Sequence, residues 1–251
     1  VIVVFQHGLG ADHRQCAEAF PDARRVTVDC PAPGRARPYS IENFAADVLA
    51  ECDRIGAASF VAGGISMGAA IALHLAVHAA ARVRALLLVR PAWLFAAAPE
   101  TMRPYAEVAA ALREAGGPGG PGGPGGPGGA ARRAAFAASA TAARLARVAP
   151  DNLASLLSFF DRADPHATAD LLDDIAADGP GVTAAQAAAL RIPALVVGQT
   201  QDAVHPIAVA RTLAETIGGQ FAEVTPKGAD KPRHLAELRA CLTGFVDRLP
   251  V

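Results

Sequence analysis

Strand-length apolar runs alternate with helix-length segments in the first part of the chain, and that alternation restricts the fold more than any other feature. Val1 to Phe5 is a short, continuous run rich in β-branched residues, and Ser59 to Gly63 and Val83 to Val89 are further short apolar runs. Such runs suit strands covered on both faces. Between them, Ala11 to Phe20 reads as a helix opened by Asp12, and Arg24 to Asp29 as a strand with Val26 and Val28 as its apolar positions. The proline-rich segment Cys30 to Ser40 must be loop. Ser40 can cap a helix over Ile41 to Ile55, with Glu42, Asp47 and Glu51 on its polar side and Phe44, Val48 and Leu49 on its apolar side. Ser66 to Ala81 reads as a further helix. Parallel strands need helical crossovers, so this order predicts an α/β fold with a doubly wound, mostly parallel sheet.

The alternation stops at Arg90-Pro91. From there to about Leu190 no strand-like run occurs, and Ala-rich helical stretches follow at Arg132 to Val148, Asn152 to Phe160 and Ala169 to Ala177. It resumes with Ile192 to Val197 as a strand, Ile207 to Ile217 as a helix, Gln220 to Val224 as a strand and His234 to Leu249 as a closing helix. The expected organisation is a core built from residues 1–90 and 191–251, interrupted by a helical cap over 91–190. Within the cap, Gly116 to Gly129 repeats Gly-Gly-Pro; it is too short for a collagen helix and reads as a disordered connector.

A chain of 251 residues can bury one core with room for such an insertion. A net charge of -1 with 19% charged residues predicts no attraction to nucleic acid or to an anionic membrane, so the expected partner is a small, roughly neutral molecule. Cys16, Cys30, Cys52 and Cys241 show no metal or disulfide spacing. His74 and His78 stand one helical turn apart without an evident third ligand, so no metal site is expected. No apolar run reaches membrane-spanning length and no targeting signal is visible, which makes a cytoplasmic location the expectation. The chain opens inside a buried-strand pattern, so a preceding segment is expected to have been removed.

Gly64-Ile65-Ser66-Met67-Gly68 joins the second apolar run to the Ala-rich helix. As strand, sharp turn and helix, it reads as a nucleophile elbow. The turn strains the central residue, and small residues two before and two after let strand and helix approach closely. In a chain rich in Gly and Ala the pentapeptide is weak by itself, and its meaning depends on partners elsewhere.

The order of elements together with these motifs resembles the α/β-hydrolase family over essentially the whole chain outside the Gly/Pro connector. The resemblance implies Ser66 as nucleophile. His7-Gly8-Leu9-Gly10 looks like the family's His-Gly-x-Gly turn, which implies the backbone amides of Leu9 and Met67 as an oxyanion hole. Asp202, in Gly198-Gln199-Thr200-Gln201-Asp202, matches the acid, and His234 alone fills the slot between the last strand and the last helix where the family keeps its base. His205 is placed at the pocket rim, and Arg90 and Trp93, where the chain leaves for the cap, are candidates to face substrate. The family's first two strands have no counterpart here, which would make the strand around Val26 an exposed edge.

Each residue also has a plainer reading: His7-Gly8 as a strand end, Asp202 as a loop or cap aspartate, His234 as a surface helix-start histidine, Arg90 as one half of an ion pair. The implied activity is cleavage of a small ester, thioester or related acyl compound by a Ser-His-Asp triad without metal or organic cofactor. Carbon-carbon bond hydrolysis, perhydrolysis and a non-catalytic binding role remain alternatives, because they differ in the pocket and not in these motifs.

Overall fold

The computed structural model describes residues 1–113 and 127–250. Six strands, β1 (Val3–Gln6), β2 (Arg25–Val26), β3 (Phe60–Ile65), β4 (Val83–Val89), β5 (Ala194–Gly198) and β6 (Gln220–Glu223), form one sheet in the order β2-β1-β3-β4-β5-β6. Every pairing is parallel. The helices are α1 (His13–Ala19), α2 (Ile41–Arg54), α3 (Met67–His78), α4 (Arg103–Arg113), α5 (Pro127–Ala137), α6 (Ala140–Val148), α7 (Pro150–Leu157), α8 (Pro165–Ala177), α9 (Ala184–Ala188), α10 (Ile207–Ile217) and α11 (Lys231–Asp247).

The period of two along each strand divides the core into two layers. Val3, Phe5, Leu87 and Val197 turn toward α1 and α11, where Phe20, Leu242 and Phe245 meet them. Val4, Leu86, Leu88 and Val196 turn the other way, toward α2, α3 and α10. Burial of each such aliphatic or aromatic side chain contributes about 1.5–3 kcal/mol. Helix α3 is apolar almost all round and buried over most of its length, as a helix sandwiched between sheet and neighbours must be.

Between β4 and β5 the chain leaves the sheet as a helical insertion. Met102, Val108 and Leu112 from around α4, and Leu172 and Ile175 of α8, join the same hydrophobic cluster as α3, so the insertion shares the core's packing. Polar ties add to it. Asp174 accepts from the Tyr39 N–H at 2.9 Å, and Asp178 accepts from the Ile41 N–H at 2.6 Å. Of the Gly-Gly-Pro connector, 116–126 lie outside the described residues, and Pro127 to Gly129 open α5.

Three expectations shift, each for a local reason. The strand predicted from Arg24 to Asp29 pairs only over Arg25–Val26. Past it, Thr27 Oγ1 donates to the Phe5 carbonyl and the Gln6 side chain accepts from the Val28 N–H, so side chains replace the ladder at this edge. The helix predicted over Arg132 to Val148 breaks at Ser139, whose hydroxyl caps α6 by accepting from the Ala142 N–H. The last helix begins at Lys231, because Asp230 accepts from the Arg233 N–H and Pro232 lies in the first turn. His234 is thereby drawn inside α11. Among the described residues no helix is long and apolar enough to cross a membrane.

Candidate active site

The strand order reverses direction beside β1, since β2 lies on one side of it and β3 on the other. At such a switch point the loops leaving the carboxyl ends of the two strands open a crevice. The turn after β1 carries His7 to Gly10, and the turn after β3 carries Ser66.

Ser66 has φ 55° and ψ -110°, in the left-handed half of backbone space, and it starts α3. Gly64 and Gly68 make this possible. A Cβ on Gly64 would lie 2.6 Å from the Gln6 carbonyl oxygen, and one on Gly68 only 2.3 Å from the same atom. Real Cβ atoms do not approach that closely, so the packing of β1, β3 and α3 at this point demands glycine at both positions. Ser66 itself is buried, with its Oγ 2.8 Å from His205 Nε2.

His205 and Asp202 sit on the loop after β5, three residues apart. Asp202 Oδ1 accepts from His205 twice, from Nδ1–H at 2.9 Å and from the backbone N–H at 3.0 Å. Those bonds fix the tautomer, leaving Nε2 as an acceptor for the Ser66 hydroxyl. Asp202 Oδ2 accepts from Arg90 Nε at 2.8 Å and Gln199 Nε2 at 3.1 Å, with Arg90 Nη2 at 2.6 Å. Its side chain is 0% exposed, so each of its acceptor positions needs such a donor. Burial works to raise the Asp202 pKa, but His205 and Arg90 together with these hydrogen bonds hold it well below the usual carboxylate range. Burial pushes the His205 pKa down, Asp202 pulls it up and Arg90 lowers it further; the net is below the ordinary histidine value. Near neutral pH the pair is therefore carboxylate and neutral imidazole.

The turn after β1 is held from two sides. His7 is fully buried; its Nδ1–H donates to the Gly8 carbonyl at 2.8 Å and its Nε2 accepts from the Cys30 N–H at 2.9 Å. Gln15 Oε1 accepts from the Gly8 N–H at 2.7 Å. Among the described residues no acceptor takes the backbone N–H of Leu9 or of Met67. Leu9 borders the cavity over Ser66, and Met67 opens α3, where the helix dipole adds to the pull on an anion. The cavity has a volume of about 220 Å³. Its far wall comes from the insertion: Asn152 of α7, then Ser155, Phe159 and Arg162 at helical spacing. Asn152 Oδ1 accepts from the N–H groups of Ala203 and Val204 at 2.7 and 3.1 Å, so the insertion also holds the loop between Asp202 and His205.

The structure thus brings Ser66, Asp202, Leu9, Met67, Arg90 and His205 together and leaves two expected residues apart. The imidazole at Ser66 belongs to His205, not His234. His234, in the first turn of α11, donates from Nδ1 to the Thr225 carbonyl at 2.9 Å and lines a neighbouring cavity of about 120 Å³. Trp93 is 2% exposed and donates from Nε1 to the Asp178 carbonyl at 3.0 Å, fastening the chain to the end of α8 instead of facing the cavity. Arg90 borders the cavity, but its guanidinium is engaged with Asp202. Asn152 and Gln15 carried no signal in the sequence, since an Asn or Gln in a helical stretch has no motif around it.

Residues 1–115 match the family model described as alpha/beta hydrolase fold. Among solved structures, the enol-lactonase from Burkholderia xenovorans LB400 superposes with a TM-score of 0.67 at 22% identity, covering 98% of this chain and 91% of that one. Est816, described as an N-acyl homoserine lactone degrading enzyme, gives 0.66 at 22% identity, with 98% and 93% covered. A thermophilic esterase from Thermogutta terrifontis gives 0.65 at 20% identity, with 98% and 90% covered. No curated protein matches the chain.

Proposed function

We propose, on the premise that the chain has the α/β-hydrolase fold, that it is a serine hydrolase cleaving a small-molecule ester or related acyl compound through Ser66, His205 and Asp202. The observation that carries this reading is the continuous path from Ser66 Oγ to His205 Nε2 at 2.8 Å and from His205 Nδ1 to Asp202 Oδ1 at 2.9 Å. Nε2 takes the hydroxyl proton as Oγ attacks the carbonyl carbon, and the imidazolium then returns it to the leaving alkoxide. Asp202 holds the ring and stabilises its positive form. The Leu9 and Met67 amides receive the carbonyl oxygen as it becomes an oxyanion, at about 3–4 kcal/mol per donor. Water, activated by the same imidazole, releases the acid from the acyl-enzyme.

Superposable structures described as lactonases and an esterase support an ester or lactone as the bond cleaved. A fluorophosphonate probe tests the reading directly. One probe per chain should attach at Ser66, and Ser66→Ala should abolish it. A folded wild-type protein that neither takes up the probe nor hydrolyses short esters would sink the proposal.

A further inference from the structure

The wall of the cavity over Ser66 contains Arg90, Arg162, Lys227 and His205, and among the described residues no carboxylate side chain lines it. Arg90 is neutralised by Asp202 behind it. Of the other two cations, Lys227 shares Asp151 at 3.3 Å and Arg162 has no such partner. Arg162 pairs with no carboxylate among the described residues; its guanidinium donates to the Gly10 carbonyl and lies over the Phe159 ring, 5.7 Å from the centroid. The same ring abuts Gly10 so tightly that a Cβ there would meet Phe159 Cε1 at 2.3 Å. The cation is therefore fastened against the oxyanion turn. Lys227, on the loop after β6, pairs with Asp151, its Nζ 3.3 Å from each carboxylate oxygen; an ammonium has three donors, so this pairing does not exhaust them.

Resting on the serine hydrolase reading above, we propose that the substrate is an anionic ester or lactone whose carboxylate is bound by Arg162 and Lys227 at the mouth of the Ser66 cavity. A carboxylate supplies the counter-charge that Arg162 lacks among the described residues and shares Lys227 with Asp151, accepting charge-assisted hydrogen bonds from both cations. The polar residues beside them, Asn152 and Ser155, suit the same kind of ligand. The overall charge of -1 does not predict this, because the sum over the chain is blind to how charges are distributed around one cavity.

The test compares esters matched in length and differing in charge: mono-4-nitrophenyl adipate against its methyl ester, with the anion on the acyl half, and 3-acetoxybenzoate against its methyl ester, with the anion on the alcohol half. In the wild-type enzyme kcat/KM should favour the anion by about tenfold or more in at least one pair. The preference should shrink as salt is raised. In Arg162→Gln and in Lys227→Met the anionic-to-neutral ratio should fall toward one. Equal rates within both pairs, with the neutral esters hydrolysed, overturn the carboxylate site while leaving the serine hydrolase standing. Failure of all four esters together with failure of fluorophosphonate labelling overturns the underlying reading instead. The wild-type ratios decide the matter even if either variant fails to fold.

Discussion

Two histidines can be set against each other by one conservative change. The side-chain amide nitrogen of asparagine overlies imidazole Nδ1, while nothing in asparagine replaces Nε2. In His205→Asn the bond to Asp202 Oδ1 can persist, as do the backbone N–H of residue 205, Gln199 and Arg90 on the same carboxylate. What disappears is the acceptor 2.8 Å from Ser66 Oγ. Stability should change by about 1 kcal/mol or less, the scale of one altered hydrogen bond. The rate should fall by about 10²–10⁴-fold, or ~3–5 kcal/mol of barrier, because a general base has gone. His234→Asn likewise keeps its bond to the Thr225 carbonyl and should leave kcat/KM within about threefold of wild type. The assay is steady-state hydrolysis of a chromogenic ester, run beside thermal melts of both variants. If both fold and His234→Asn loses as much activity as His205→Asn, or if His205→Asn keeps more than about a tenth, the assignment of the base is wrong.

With His205 as the proposed base, neutral when it acts, and with burial and Arg90 holding its pKa down, kcat/KM should fall on the acid side with a midpoint below 6.5; a midpoint at or above that value contradicts the proposal. Replacing Arg90 by Met removes a cation that disfavours imidazolium, so that midpoint should move up. Gly68→Ala places a methyl where only 2.3 Å is available to the Gln6 carbonyl oxygen, and urea unfolding should show a loss of about 3 kcal/mol or failure to fold; near-wild-type stability would mean β1 and α3 are not packed this closely. Asn152→Ala strips the acceptor from the Ala203 and Val204 amides, costing about 1–3 kcal/mol and lowering kcat more than it raises KM. An unchanged kcat in that variant would show that the loop holds its shape without the insertion.

Strand and helix alternation, the sharp turn at Ser66 and the turn after β1 are legible in the sequence because each rests on local rules: short apolar runs, the small residues flanking Ser66, and glycines where a turn needs them. Helix α10 and strand β4 fall where their apolar patterns end. The base is a different matter. Asp230 and Pro232 start α11 early and draw His234 into it, while His205 is brought to Ser66 only by the course of the loop after β5. A histidine three residues after the acid was visible, but nothing local says whether its ring turns to the serine or away. Arg90 was legible as a candidate, yet its role as partner of a buried carboxylate is set by where Asp202 comes to rest. Asn152 belongs to the same class, since its acceptors and donors meet only across the insertion.

The placement of Asp202 and His205 on one loop alters the chain entropy of assembling the site. When acid and base come from separate loops, two long closures must hold at once, and thermal opening of either one disables the enzyme. Here the acid-base contact spans three residues, and the serine-histidine contact, spanning 139, is the single long closure left. The entropy of such a closure grows only slowly with its length, so removing one whole closure matters more than shortening either. The acid-base pair can thus move as a preformed unit, and loss of the Ser66 contact becomes one docking equilibrium, on which Asn152 bears through its hold on residues 203 and 204.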